Sequence, residues 1–163
     1  MNVSDVMTKA PAYCSSGTNL GAAAEIMWSR NCGFLPIVGP QGELAGVVTD
    51  RDLCIAMATR NRLPGEITVK EVASGLTYSC KSSDDIRTAL ETMAQKKVRR
   101  LPVVNAVGKL EGVLSSDDIV LHADARSQRN AGLSAEELVS LLQNVYQAQL
   151  HQPTPTQKKT AVA

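Results

Sequence analysis

Apolar positions at 20, 23, 24, 26 and 27 lie on one face of a helix, and the same spacing returns at 86, 89, 90 and 93. Each predicted helix leads into a short apolar run, Phe34-Leu35-Pro36-Ile37-Val38 or Leu101-Pro102-Val103-Val104. These runs read as strands whose proline must sit at the start or on a sheet edge. Gly39-Pro40-Gln41-Gly42 predicts a turn and Leu44-Ala45-Gly46-Val47-Val48 a second strand, so the two runs form a hairpin. Residues 106–109 and 110–114 repeat that hairpin, and Thr49 and Ser115 introduce further helices. Upstream of each long helix stand a helical turn (residues 3–7 and 69–73) and an extended segment (residues 12–14 and 78–80). The extended segment runs into Ser/Thr/Asp-rich sequence suited to a helix N-cap.

The order strand-helix-strand-strand-helix occurs twice because the chain repeats itself at a shift of 66 residues without a gap. Residues 3–55 and 69–121 share 15 identities, among them Val3/Val69, Cys14/Cys80, Met27/Met93, Pro36/Pro102, Gly46/Gly112 and Asp52/Asp118. Unrelated sequence of this composition gives roughly three or four. One unit of about 55 residues buries too little surface to stand alone, and two packed through their sheets solve that problem. The predicted fold is α/β (α+β): two tandem β-α-β-β-α repeats with pseudo-two-fold symmetry, plus a C-terminal helix. Residues 1–66 form the first repeat and 67–123 the second; 124–151 are a linker and amphipathic helix, and 152–163 a tail expected to be disordered. That helix opens on the capping box Ser134-Ala135-Glu136-Glu137 and carries Leu138, Leu141, Leu142, Val145 and Ala148 at helical spacing. Its apolar face must be covered, which marks it as an output or dimerisation element.

Composition narrows the function classes. The 163 residues are 44% hydrophobic and 20% charged, with a net charge of +1, so a packed core is expected and no bulk attraction to nucleic acid or anionic membrane. No apolar stretch approaches a membrane span, and Met1-Asn2-Val3-Ser4-Asp5 has no signal-peptide character, so a cytoplasmic protein is expected. Aromatics are 3% of the chain, too few for a base-stacking platform. The four cysteines, at 14, 32, 54 and 80, form no CxxC pair, and the histidines are His122 and His151 alone, so no metal site is predicted. Cys14 and Cys80 are expected to be small core residues. Phosphate-loop, HExxH and nucleophile-elbow motifs are all absent from the sequence, and neither histidine is duplicated between the repeats, so no enzyme is expected.

The strand-to-helix junction carries the candidate chemistry. It reads Gly46-Val47-Val48-Thr49-Asp50-Arg51-Asp52 in one repeat and Gly112-Val113-Leu114-Ser115-Ser116-Asp117-Asp118 in the other. A hydroxyl at a helix start with a carboxylate three residues on is a capping box, satisfying the helix N-terminus and nothing else. It is also an arrangement in which hydroxyl and helix N–H groups hold a phosphate while the carboxylate accepts from a ribose diol.

With the Leu-Pro-(Ile/Val)-Val strands, these junctions and the lead-in Asp5-Val6-Met7-Thr8, residues 1–123 resemble a tandem pair of cystathionine-β-synthase (CBS) domains, a Bateman module of the small stand-alone bacterial type. The resemblance implies a disc with two clefts that bind AMP, ADP or ATP, S-adenosylmethionine or NAD. It implies that Asp52 and Asp118 hold ribose hydroxyls and that Thr49 and Ser115 hold phosphate. Val47 and Val113 would pack on the adenine base, with Ala12, Tyr13 and Cys14, or Tyr78 to Cys80, of the opposite repeat at its edge. Cys32, Gly33 and Val98 would approach the same clefts.

The repeats differ where charge matters: Lys96, Lys97, Arg99 and Arg100 match Arg30, Asn31, Gly33 and Phe34. Beside a phosphate cleft such cations favour a di- or triphosphate, with Arg99 and Arg100 as its contacts. Read alone, they are a solvated helix end complementing its dipole. The resemblance thus implies a regulatory, nucleotide-sensing homodimer acting on an unknown downstream protein. A ligand-free interaction module of the same fold is the alternative. Only about 40 residues lie outside the repeats, too few for a catalytic domain.

Overall fold

The computed structural model describes residues 1–73, 77–122 and 134–150; the linker from 124 to 133, the tail 152–163 and His151 lie outside the described residues. The first repeat contributes α1 (Val3–Val6), β1 (Thr8–Lys9), β2 (Cys14–Ser15), α2 (Leu20–Ser29), β3 (Phe34–Val38), β4 (Leu44–Thr49) and α3 (Asp50–Thr59). A 3-10 turn at Pro64–Glu66 joins it to α4 (Val69–Val72), β5 (Cys80–Lys81), α5 (Ile86–Lys96), β6 (Arg100–Val104), β7 (Leu110–Ser115) and α6 (Ser116–Leu121), and α7 (Ala135–Leu150) follows.

The hairpins form as the pattern predicts, with β3 antiparallel to β4 and β6 antiparallel to β7. Gly42 and Gly108 take φ of +84° and +78°, the left-handed conformation that favours glycine in such turns. The two turns touch: Leu44 N–H donates to the Gly108 carbonyl at 3.1 Å and Leu110 N–H to the Gly42 carbonyl at 3.0 Å. This reciprocal pair lies on the pseudo-two-fold axis.

The prolines depart from expectation, since β3 and β6 are interior strands in the orders β2-β3-β4 and β1-β7-β6-β5. The backbone tolerates them for two reasons. Asp50 N–H donates to the Gly33 carbonyl, so bonded pairs alternate from there and Pro36 opposite Val47 falls between them. On the other side the parallel ladder to β2 begins only at Cys14↔Ile37. Pro102 opposite Val113 repeats the arrangement.

Each hydrophobic core recruits the opening helix of the other repeat. Val3 and Val6 of α1 pack with Ile86, Leu90, Met93, Leu101, Val103, Leu114 and Ile119, whereas Ile67 and Val69 pack with Leu20, Ala23, Leu35, Ile37, Val48 and Leu53. The backbone closes the exchange symmetrically. Val3 N–H donates to the Asp84 carbonyl and Val69 N–H to that of Thr18; Ile86 N–H donates to the Met1 carbonyl and Leu20 N–H to that of Ile67. In addition β1 crosses over as an antiparallel edge strand on β7, Thr8 opposite Val113. The repeats are therefore interlocked through both helices and a strand.

The C-terminal helix is covered from within the chain. Leu138 and Val145 are buried in the second repeat's core, with Leu141 and Leu142 packed against it. Arg87 of α5 donates to Glu137 at 3.1 and 3.2 Å. Within the chain the second repeat's core thus covers Leu138, Leu141, Leu142 and Val145, while Val139 and Tyr146 stay exposed.

Candidate functional site

Both junctions are capping boxes. Thr49 N–H and Oγ1–H donate to Asp52 Oδ2 at 2.9 and 2.7 Å, and Asp52 N–H returns to Thr49 Oγ1 at 3.3 Å. Ser115 N–H and Oγ–H donate to Asp118 Oδ2 at 2.8 and 2.6 Å, and Asp118 N–H returns to Ser115 Oγ at 3.0 Å. Each box stops the β4 or β7 strand and starts α3 or α6. Both carboxylates are half-buried, and the cap engages one oxygen of each, Oδ2. An Oδ1 on each side of the molecule is left with lone pairs outside the cap, and that is where a hydroxyl donor can be taken.

The phosphate half of the expected chemistry is less ready. Each Thr49 and Ser115 hydroxyl has one proton, and it is directed at its own carboxylate. At the start of α3 the N–H groups are already engaged: Asp50 with the Gly33 carbonyl, Arg51 with Asp50 Oδ1, Asp52 with Thr49 Oγ1. A phosphate at Thr49 would have to displace this cap.

Around the junctions the two sides differ. In the second repeat Arg100 is paired with Ser115 across the β6–β7 ladder, and its guanidinium lies 3.8 Å from Asp117. Arg99, exposed, accepts the Ser116 N–H on its carbonyl. Lys96 sits 5.2 Å over the Tyr78 ring, a cation–π contact, and Lys97 caps α5 in the left-handed conformation with φ of 58°. In the first repeat the matched Gly33 lies under the Asp50 carboxylate, where a Cβ would collide. The second junction thus carries the Arg100–Asp117 ion pair and the exposed Arg99, where the first has the Asp50 carboxylate against Gly33.

The flanking segments approach the opposite repeat upstream of the expected residues, and at positions that are not equivalent in the two repeats. Gly112 faces Met7 and Thr8, and Gly46 faces Thr77. Val47 and Val113 are half-buried beside them. Met7, Thr8 and Thr77 were not among the expected residues, although Met7 and Thr8 belong to the lead-in motif that signalled them. Ala12 is half-buried and Tyr13 exposed, whereas the Cys14 side chain points into the first core. Burial pushes the Cys14 thiol up to about 11; burial, then the Asp84 charge, pushes Cys80 up to about 12. Val98 and Tyr78 pack on the second core. Cys32 and Gly33 line a cavity of about 470 Å³ on the helical face with Met27, Trp28, Leu53 and Met57, without Thr49 or Asp52.

The CBS domain profile matches residues 3–59 and again 65–124. The CBS domain-containing protein YhcV of Bacillus subtilis is 31% identical over 150 residues, covering 92% of this chain and 99% of that protein. The crystal structure of Hypoxic Response Protein I, which holds two coordinated zinc ions, superposes with a TM-score of 0.70 at 30% identity over 76% of this chain and all of that one. A protein of nearly that name, hypoxic response protein 1 of Mycobacterium tuberculosis, is 31% identical over 118 residues, 72% of this chain and 82% of that protein. The CBS domain pair of MJ0100, solved with 5′-methylthioadenosine and S-adenosylmethionine, superposes with a TM-score of 0.68 at 25% identity, over 74% of this chain and 94% of that one. CBSX2 in complex with AMP gives 0.64 at 26% identity, over 74% and 93%. As for zinc, no group of three or more His, Cys, Asp or Glu suited to a metal occurs among the described residues, and Cys14 and Cys80 are buried in separate cores.

Proposed function

The chain belongs to the CBS domain family, and from that premise we propose that it is a regulatory module that binds an adenosine compound between its two repeats and works as a cytoplasmic homodimer. The observation that carries this reading is the junction built twice, each with a carboxylate oxygen left outside its cap. Support comes from two similar CBS pairs, one solved with AMP and one with S-adenosylmethionine and methylthioadenosine, whose ligands share the adenosine group.

In this reading Asp52 and Asp118 each accept a ribose hydroxyl on Oδ1. Val47 and Val113 flank the base, with Tyr78, Val98 and Ala12 at its edge. The anionic end of the ligand lies toward Arg99 and Arg100, because the first repeat offers a carboxylate in the equivalent place. AMP, ADP or ATP therefore fit better at the second junction than at the first. Thr49 and Ser115 act chiefly by holding the two aspartates, and meet phosphate only if the cap opens. Regulation follows from linkage: a ligand bridging interlocked repeats favours the arrangement it binds more tightly, and only that differential affinity shifts the equilibrium for a downstream protein. No step requires catalysis.

A second reading, a ligand-free interaction module, is favoured by one observation: the α3 N–H groups and both cap hydroxyls are already engaged. Thermal unfolding with AMP, ADP, ATP, S-adenosylmethionine and NAD decides between them. A ligand at 100 times its dissociation constant stabilises by about 2.7 kcal/mol, a rise of roughly 5–11 °C for a chain of this size. The regulatory reading expects such a rise with at least one; five flat responses support the ligand-free module.

A further inference from the structure

Ser116 is shared between the second junction and α7. It is the first residue of α6, set between Ser115 and Asp118 of the capping box, and is 1% exposed. Its N–H donates to the Arg99 carbonyl at 3.0 Å, and its Oγ lies 3.4 Å from the Tyr146 hydroxyl of α7. Ile119 is fully buried in the core that also receives Leu138 and Val145 of α7. Ser116 and Ile119, three residues apart, make the buried side of α6. On the junction side Asp117 lies 3.8 Å from Arg100 and Asp118 caps Ser115. The first repeat is built differently at this point. Asp50 stands in place of Ser116, its carboxylate turns back over Gly33 and accepts the Arg51 N–H at 2.7 Å, and α3 runs ten residues where α6 runs six.

We propose that α7 is a positioning element for the second junction: its docking and the formed α6 support each other, so occupancy of this junction, and not of the first, is passed to α7. A six-residue helix does not hold itself in water and takes its stability from what packs on it. Asp118 is in place only while α6 is formed, and the surface that receives Tyr146 exists only then. Whatever binds the formed α6 therefore favours the other, whether α7 on its buried side or a ribose on Asp118 Oδ1, and the coupling is reciprocal. The other end of α7 is tied by a separate contact, Arg87 to Glu137 at 3.1 and 3.2 Å, so docking can be weakened without touching the junction. The passage of ligand occupancy rests on the adenosine reading, whereas the mutual support of α6 and α7 does not.

The test isolates each junction in the full chain, Asp52→Asn leaving the second and Asp118→Asn the first. Into each background go Leu138→Ala/Val145→Ala, which weakens docking through the core, and separately Glu137→Lys, which weakens it from the surface. Equilibrium dialysis measures AMP and ATP binding, hydrogen–deuterium exchange follows the amides of 116–121 and 135–147, and circular dichroism checks the fold. In the Asp52→Asn background alone, affinity is expected to fall about 10-fold with Leu138→Ala/Val145→Ala, and by less with Glu137→Lys. Nucleotide should slow exchange in α7 in that background and not in Asp118→Asn. Affinity unchanged when α7 is weakened, or lowered equally at both junctions, would overturn the proposal. If neither nucleotide binds in the Asp52→Asn background, the adenosine reading fails at this junction and exchange without ligand decides. Faster exchange at 116–121 in both α7 variants then sustains the coupling of α7 to α6, and unchanged exchange overturns it.

Discussion

Asp118 has two roles in this account, cap and ribose acceptor, and a pair of substitutions separates them. In Asp118→Ala the Ser115 N–H and hydroxyl lose an acceptor held at 2.8 and 2.6 Å, in a residue only 8% exposed. Loss of a cap costs about 0.5–2 kcal/mol, and a hydrogen bond to a charged acceptor is worth about 1.5–3, so a loss of about 2 kcal/mol is expected. For a chain of this length that lowers Tm by roughly 4–8 °C. In Asp118→Asn both donors of Ser115 require an acceptor, so the amide oxygen takes the Oδ2 position and the NH2 falls where Oδ1 was. The cap then persists as a neutral one, at a cost of about 1 kcal/mol or 2–4 °C. The NH2, however, presents a donor to a ribose hydroxyl that needs an acceptor. The asparagine variant should therefore unfold close to the parent yet lose the nucleotide-dependent rise in Tm at its own cleft. Thermal unfolding with and without ligand reads both quantities in one experiment. A parental ligand response in Asp118→Asn refutes the ribose role, and an unchanged Tm in Asp118→Ala refutes the cap.

Other consequences are equally open to measurement. A Cβ on Gly112 would meet Met7 Sδ at 2.7 Å and the Thr8 carbonyl at 2.9 Å, whereas on Gly46 the nearest atom is Ile37 Cδ1 at 3.4 Å. Gly112→Ala should thus cost about 1–3 kcal/mol in urea unfolding by overpacking β1 on β7, and Gly46→Ala clearly less; equal costs would contradict the crossover. The Glu71 carboxyl is lowered from its ordinary 4.5 to about 2, first by the Thr68 N–H and then by the Arg62 guanidinium. A depressed acid stabilises the fold above its unfolded pKa, so stability should drain as pH falls from about 4.5 to about 2, and Glu71→Gln should flatten that part of the urea-midpoint profile. With their thiols pushed up to about 11 and about 12, Cys14 and Cys80 should react with dithionitrobenzoate only on unfolding, while the exposed Cys54 reacts at once. Rapid titration of all four cysteines would contradict the two separate cores.

Much of the fold is legible because its longer elements satisfy their own periodicity. Leu20–Ser29 and the β3–β4 hairpin occur where spacing and turn residues put them, since a ten-residue face or a glycine with positive φ is a local requirement. What could not be read is partner choice by short segments. Val3 and Val6 announce one apolar side but not whose core receives it, and β1 is two residues long, so its place on β7 depends entirely on contacts distant in sequence. The proline rule failed at Pro36 for a related reason: strand position in a sheet is global, while the missing N–H matters only at the one register where it faces a gap. At the site, Asp52 and Asp118 could be found by repetition. That their hydroxyl partners would already be engaged could not, because a capping box and a phosphate cradle use the same residues at the same spacing. Cys14 is the core residue its small apolar side chain suggested, because alternation along β2 turns it inward, while the pocket-edge place was only what the resemblance implied.

The central claim is that the two junctions are adenosine sites. Equilibrium dialysis of AMP, ADP, ATP, S-adenosylmethionine and NAD against the parent chain and the Asp52→Asn/Asp118→Asn double variant tests it most directly. Saturable binding of at least one of the five by the parent, at no more than two per chain, is expected, with its loss in a double variant that remains folded. Binding retained by the double variant, or no saturable binding of any of them by the parent, would contradict it.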